Sequence, residues 1–258
     1  MLERIVPEDQ SWNNQVAIHI QRYRFAVPYV RGKRVLDAGC GIGYGSKLLA
    51  DAGPIAVMGV DISRDALDIA ERQFANERLD FVCDDCQSLA RVQGPFDVIV
   101  SFEALEHFSD GEAFVSRVAQ LLAPGGVFMV STPNKEFSLR NNPYHLREYT
   151  PAEFRALLER SFNHVTLLGQ HWTAAHAGVH LATTVLWTNP FMRLGRWLQR
   201  LRGTRVPHPL EGLVPTESDL VISDLYPEAA WTLLAICHNG HDVTARATDR
   251  FLAQESRQ

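Results

Sequence analysis

Apolar residues follow two rhythms along this chain. Val16, Ile20, Tyr23 and Val27 recur at helical spacing behind Ser11, a good N-cap, which predicts a helix from Trp12 through Phe25 that Pro28 breaks. Val35-Leu36 is apolar without alternation and stops at a run of glycines, as a strand buried on both faces does. Ala56–Ser63, Leu79–Cys83, Phe96–Phe102 and Val127–Ser131 read as four further strands, with helices starting at Lys47 and Asp65 and another between the fourth and fifth strands. Thr150-Pro151-x-Glu153 supplies an N-cap, a proline at the first turn and an acid to close a capping box, so a helix is expected over Glu153–Arg160. His164–Gln170 and Trp231–His238 complete the set as sixth and seventh strands. Strands alternating with helices predict an α/β fold with a mostly parallel sheet.

Composition narrows the classes. The chain has 258 residues, 46% hydrophobic and 21% charged, with a formal net charge of −5. That mild acidity argues against a phosphate-backbone binder, and no nucleic-acid partner is expected. No apolar run approaches the roughly 20 residues that span a bilayer. Met1-Leu-Glu-Arg-Ile-Val-Pro7 lacks the layout of a signal peptide, so the expected location is cytoplasmic. The four cysteines are too few for a disulfide framework, and Cys83-x-x-Cys86 has no second pair to complete a zinc site.

The candidate chemistry centres on Val35-Leu-Asp-Ala-Gly-Cys-Gly-Ile-Gly-Tyr-Gly-Ser46. Glycines at 39, 41 and 43 let the backbone take positive φ and let a ligand lie against it, while the helix that follows aims free N–H groups at the same place. The dinucleotide pattern G-x-G-x-x-G fits less well, because Gly45 falls off its third spacing. With Asp37 before the first glycine, the stretch resembles motif I of class I S-adenosylmethionine (SAM)-dependent methyltransferases. Four more features in the same order support that resemblance, which covers roughly residues 15–170: the second-strand acid Asp61, Asp84-Asp85-Cys86 after the third strand, Phe96-Asp-Val-Ile-Val-Ser-Phe-Glu-Ala-Leu-Glu-His107, and Leu122-Ala-Pro-Gly-Gly126.

The resemblance implies a Rossmann-like, seven-stranded sheet with helices on both faces and the last strand antiparallel beside the sixth. It implies a SAM site formed by Tyr23, Asp37, Gly39, Cys40, Gly41, Gly43, Asp61, Ile62, Asp85, Cys86 and Phe102. Asp61, 18 residues after Gly43, would accept from the ribose hydroxyls. Asp85 would meet the adenine amine, although Asp84 stands where the family usually has glycine. His19-x-x-Arg22-Tyr23 resembles a glycan-associated subgroup in which the first helix covers the cofactor; a helix that merely shields a sheet edge is the alternative. The organisation expected is one domain over 1–258: a lid helix in 1–31, a cofactor core in 32–171, an insertion for acceptor or oligomer contacts in 172–228, and the last strand and tail in 229–258. The basic amphipathic segment Asn189–Arg202 suits a partner surface such as a homodimer contact.

Asn142-Pro-Tyr-His-Leu-Arg-Glu-Tyr149 resembles a segment that faces the acceptor in the same subgroup. The reading is therefore a SAM-dependent methyltransferase acting on a hydroxyl of a sugar or glycan-type small molecule. A hydroxyl needs a base, and a neutral histidine, ordinarily with a pKa of about 6.5, suits the task. His145 or His107 is that base, with His145 ranked first. Glu103, Glu106 and Glu148 would orient it or hold a Mg²⁺ ion. An amine acceptor, which needs no strong base, is the alternative, and a non-catalytic SAM-binding protein is a third reading.

Overall fold

The computed structural model describes residues 12–137, 142–172, 220–224 and 227–240. The chain divides into two compact units. One is built on His19–Gln170 and the segment from Ile222 onward; the other takes in Ile5–Ile18 and His171–Val221, most of it outside the described residues. The expectations placed on Asn189–Arg202 and on most of 172–228 therefore lie outside the described residues.

The elements are α1 (Trp12–Val30), β1 (Arg34–Ala38), α2 (Tyr44–Asp51), β2 (Ala56–Asp61), α3 (Arg64–Phe74), β3 (Leu79–Cys83), β4 (Phe96–Phe102), α4 (Gly111–Leu121), β5 (Leu122–Pro133), α5 (Pro151–Leu158), β6 (His164–Trp172), β7 (Leu220–Ser223) and β8 (Thr232–His238). The sheet order is β3-β2-β1-β4-β5-β8-β6-β7. The five strands from β3 to β5 pair in parallel, and β8 lies antiparallel between β5 and β6. This is the Rossmann-like arrangement expected, with one short strand, β7, added at the edge. Helix α1 also runs two residues past Pro28. The proline sits in the last turn, where its missing N–H removes one bond and has little helix left to disrupt.

Alternation along the strands sends side chains to two cores. Val35, Val57, Val98 and Val100 meet Tyr23, Phe25, Ala26 and Val30 of α1, Leu49 of α2, and Leu67 and Ala70 of α3. Leu36, Ala38, Val60 and Ile99 meet Phe114, Val115 and Val118 of α4 and Phe154 and Leu158 of α5 on the other face. Burial on both faces is why these strands read as continuous apolar runs. Three helices have side-chain caps: Ser63 accepts from the Ala66 N–H, Asp110 from the Ala113 N–H, and Thr150 with Glu153 forms the expected capping box. By contrast, α2 starts at Gly43 with no side-chain cap, which leaves its first N–H groups for something else. The parallel strands point their carboxyl ends at that same edge, where open α/β sheets bind ligands.

Candidate active site

The glycine loop leaves β1 and closes onto β2. Gly39, Gly41 and Gly43 have φ of 87°, 54° and 83°. Two of them are glycine because neighbours fill the space: a Cβ on Gly39 would lie 2.7 Å from the Ala104 Cβ, and one on Gly43 2.7 Å from the Ala70 Cβ and 2.8 Å from the Phe81 ring. Gly41 differs, since a Cβ there would meet nothing within 4 Å. The loop thus presents bare, open backbone at Gly41, as a bound cofactor requires. The contact of Gly39 with Ala104 places the exit of β4 directly against this loop.

Asp61, at the end of β2, accepts from the Gly41 N–H at 2.9 Å with Oδ2 and from the Ser63 N–H at 2.8 Å with Oδ1. It fixes the loop while keeping lone pairs for diol hydroxyls, since each carboxylate oxygen accepts more than one bond. Ile62 beside it is 58% exposed, an apolar face next to the loop. After β3, both oxygens of Asp84 are taken by the N–H groups of Asp85 and Arg91. Asp85 is exposed and uses only Oδ1, toward the Gln87 N–H. Asp84 therefore builds the turn, and Asp85 leaves its Oδ2 available.

Four expected cofactor residues are more enclosed than expected. Asp37 is fully buried, accepting from Ser46 Oγ at 2.6 Å and from the Tyr23 hydroxyl at 3.2 and 3.3 Å. Burial raises its carboxyl to about 7, against the lowering effect of those two bonds. Tyr23 is committed to that bond, and its ring packs edge-on against Phe102 at 5.1 Å and over Gly45. The Cys86 thiol donates to the Val60 carbonyl at 3.4 Å, and burial pushes the Cys40 and Cys86 thiols up. All four cysteines are free thiols.

The next groups leave the end of β4. Glu103 takes a left-handed φ of 54°, uncommon for a side-chain-bearing residue, and accepts from Ser131 Oγ at 2.9 Å. The 3-10 turn Leu105–His107 follows. Glu106 in it is 1% exposed and accepts from Thr132 Oγ1; burial, then the neighbouring Glu103, raises its carboxyl well above the usual range. Its carbonyl receives the N–H groups of Leu146 and Arg147, which ties the 142–149 loop to β4. The rings of His107 and His145 meet edge-on at 5.2 Å.

These two imidazoles are not equivalent. His107 Nδ1 lies 2.9 Å from the Tyr144 carbonyl, an acceptor, so Nδ1 carries the proton and Nε2 carries the lone pair. His145 Nδ1 lies 2.6 Å from Glu148 Oε1, and its Nε2 lies 3.0 Å from Asn142 Nδ2. Both nitrogens of His145 are engaged, while His107 presents Nε2. The peptide carbonyl that sets the His107 tautomer leaves no trace in sequence.

Glu103, Glu106 and Glu148 are not gathered into one cluster. Among the described residues, the group with metal-ligand spacing is Glu106, His107 and His145, whose donor atoms all lie within 4.8 Å of one another. Two imidazoles and one carboxylate suit a transition ion such as zinc or iron better than Mg²⁺, which prefers oxygen ligands.

Arg22 was not singled out from sequence as a site residue. It is 1% exposed, with Nε donating to Gln170 at 2.8 Å, Nη2 to Thr232 at 3.2 Å, and Nη1 lying 3.5 Å from Glu103 Oε1. Its signal was a charge placed four residues before Ala26 and four after Ile18, on a stripe of the helix that turns inward.

Comparison with known proteins agrees with this geometry. The family described as "Methyltransferase domain" matches residues 16–201. A probable S-adenosylmethionine-dependent methyltransferase of Mycolicibacterium smegmatis is 37% identical over 165 residues, 61% of this chain and 62% of that protein. A ubiquinone biosynthesis O-methyltransferase of Coxiella burnetii is 38% identical over 110 residues, 42% of this chain and 47% of its own. The chain thus aligns with about half to three-fifths of the length of these curated relatives. Among solved structures, a chain from the complex of the Haloferax volcanii Trm112 methyltransferase activator with a methyltransferase superposes with a TM-score of 0.58 at 21% identity, covering 91% of this chain and 92% of that one. The chain belongs to the methyltransferase-domain family and has the class I fold of S-adenosylmethionine-dependent methyltransferases.

Proposed function

We propose that this protein is a SAM-dependent methyltransferase acting on a hydroxyl of a sugar or glycan-type small-molecule acceptor, with His107 as general base. The observation that carries the base assignment is the His107 Nδ1 contact with the Tyr144 carbonyl, which leaves Nε2 as acceptor on a turn adjoining the glycine loop. The open backbone at Gly41, the remaining lone pairs of Asp61 and the Oδ2 of Asp85 suit contacts with the cofactor's main chain, ribose and adenine. When bound, SAM supplies a methyl group already activated on a positively charged sulfur.

What the chain adds is position and proton transfer. The glycine loop and Asp61 orient one partner, while the polar 142–149 loop, carrying Asn142, His145, Arg147 and Glu148, receives the hydroxylated one. Holding both in line accounts for most of the acceleration in such a reaction, and excluding water adds to it. His107 Nε2 accepts the hydroxyl proton, and the Tyr144 carbonyl stabilises the imidazolium that results. His145, fixed by Glu148 and Asn142, holds the His107 ring edge-on. Such a base contributes about 10²–10⁴ in rate. The Coxiella burnetii relative's name, an O-methyltransferase, supports oxygen over nitrogen as the acceptor atom. The polar loop and the glycan-associated resemblance support a sugar.

Titration with SAM and its demethylated product, followed by a methyl-transfer screen against glycosides and amines, tests the reading. Binding with turnover of glycosides is expected. Turnover of amines alone would replace the acceptor class, and failure to bind SAM would end the methyltransferase reading.

A further inference from the structure

The two imidazoles and one carboxylate that follow β4 share more than their spacing. His107 Nδ1 lies 2.9 Å from the Tyr144 carbonyl and His145 Nδ1 lies 2.6 Å from Glu148 Oε1. Each neutral ring therefore holds its proton on Nδ1 and its lone pair on Nε2. A fixed acceptor on one ring nitrogen is what orients a histidine to ligate with the other. Glu106 Oε2 is held in turn by Thr132 Oγ1 at 3.1 Å. The donor atoms of Glu106, His107 and His145 all lie within 4.8 Å of one another. The two segments that carry them are tied together, since the Glu106 carbonyl receives the N–H groups of Leu146 and Arg147 at 2.8 and 3.1 Å. Glu106 is buried while both histidines are half-buried, so the group is closed at the carboxylate and open at the imidazoles.

We propose that Glu106, His107 and His145 form a site for a transition cation of the zinc class, and that filling it switches the enzyme off by taking the lone pair His107 uses as base. The second half rests on His107 being the base. Ligand type favours zinc, which takes imidazole nitrogen readily, whereas Mg²⁺ takes oxygen ligands and keeps its water. Three protein ligands and one open position also match the four-coordinate geometry that zinc adopts. Tetrahedral bonds of roughly 2.0–2.1 Å set donors about 3.3 Å apart, so these three must close by about 1.5 Å at most. The Asn142 amide, 3.0 Å from His145 Nε2, has to swing aside as they do. That rearrangement weakens the site relative to one already closed, and makes the cation a reversible occupant.

The test reads binding first, without acceptor or turnover. The metal-stripped full chain is titrated with zinc, and separately with magnesium, by calorimetry, beside the Glu106→Gln and His145→Ala variants. Zinc should fill a site that magnesium does not, and each variant should weaken it at least about tenfold. Cobalt(II) in the same site should show the visible bands of a four-coordinate ion, and His145→Ala should abolish them. Zinc should then inhibit methyl transfer with a midpoint at the calorimetric Kd, and a chelator should restore the rate. In His145→Ala, measured against that variant's own zinc-free rate, inhibition should need at least about tenfold more zinc. Zinc binding of undiminished strength in both variants would place the ion elsewhere and overturn the site. Absence of zinc binding in the unmodified protein would overturn it even if neither variant folds. A filled site with unchanged or raised turnover would overturn the switch and take His107 out of the base role. The binding measurement needs no acceptor, so failure of the acceptor assignment leaves the metal result standing.

Discussion

The phenolic hydroxyl of Tyr23 donates to the carboxylate of Asp37, 3.2 and 3.3 Å from its two oxygens, and so joins helix α1 to the strand that feeds the glycine loop. The carboxyl is raised from 3.8 to about 7 mainly by burial. A raised folded pKa means that the native state holds a proton the unfolded chain has released, so stability falls as pH rises from about 4 to about 7. The effect of this one group is at most about 4 kcal/mol. Asp37→Asn should flatten that part of the profile. Denaturant midpoints at pH 5 and pH 8 should differ by less in the variant than in the unmodified protein. Glu106 contributes with the same sign, so the difference between the two proteins is the quantity to compare. Parallel profiles would refute the assignment.

Gly41 and Gly43 should separate binding from folding. Gly43→Ala drives a methyl group into Ala70 and Phe81 and should destabilise the protein by about 2 kcal/mol or more. Gly41→Ala meets open space and carries only the strain of its positive φ, about 1 kcal/mol. Its methyl group would stand on the face that receives the ligand, so SAM affinity should fall by more than stability does. Calorimetric binding beside thermal unfolding compares them directly.

The adjacent aspartates should divide in the same way. Asp84→Ala leaves the N–H groups of Asp85 and Arg91 without their acceptor and should lower the melting temperature. Asp85→Ala should leave stability nearly unchanged and weaken SAM binding about tenfold or more. The reverse pattern would assign adenine recognition to Asp84.

His107→Ala should lower kcat by at least about 10²-fold while SAM affinity is kept, and His145→Ala should have a smaller effect. Glu148→Gln should resemble His145→Ala, since it acts through that ring. A cation held by Glu106, His107 and His145 would occupy the His107 lone pair, so the base and ligand roles exclude each other. Turnover unaffected by a strong chelator supports the base. Turnover abolished by the chelator and restored by added zinc, iron or manganese would make His107 a metal ligand.

Much of this fold and half of the site could be read from the chain because the relevant signals are local. Thr150 and Glu153 lie three residues apart, and Gly39 to Gly43 sit within one turn. Asp61 is marked by ending an apolar strand. The roles of Arg22, His107 and Asp84 are not local. Arg22 is set by Gln170 and Thr232, 148 and 210 residues away, and His107 by a peptide carbonyl 37 residues on. Asp84 looks like a ligand-binding acid until the Arg91 N–H is seen on it. Strand β7 was missed because its four residues carry too short a pattern to stand out from the chain around them.

The placement of β8 fixes an order of events in the birth of the protein. Its seven residues bond to β5 on one side and β6 on the other, pairing Ser131 and Leu168 with Leu234. The sheet from β3 to β5 can assemble from contacts between neighbouring segments, but β6 is not joined to it until Thr232–His238 has been made. Such distant pairings form slowly, since a long loop must close before any contact rewards it. Thr232 also supplies one of the anchors of Arg22. A chain emerging from the ribosome should therefore complete its glycine loop early and the anchoring of Arg22 last. A truncation before residue 232 should still acquire protease-resistant β1 to β4 while leaving Arg22 without its Thr232 anchor.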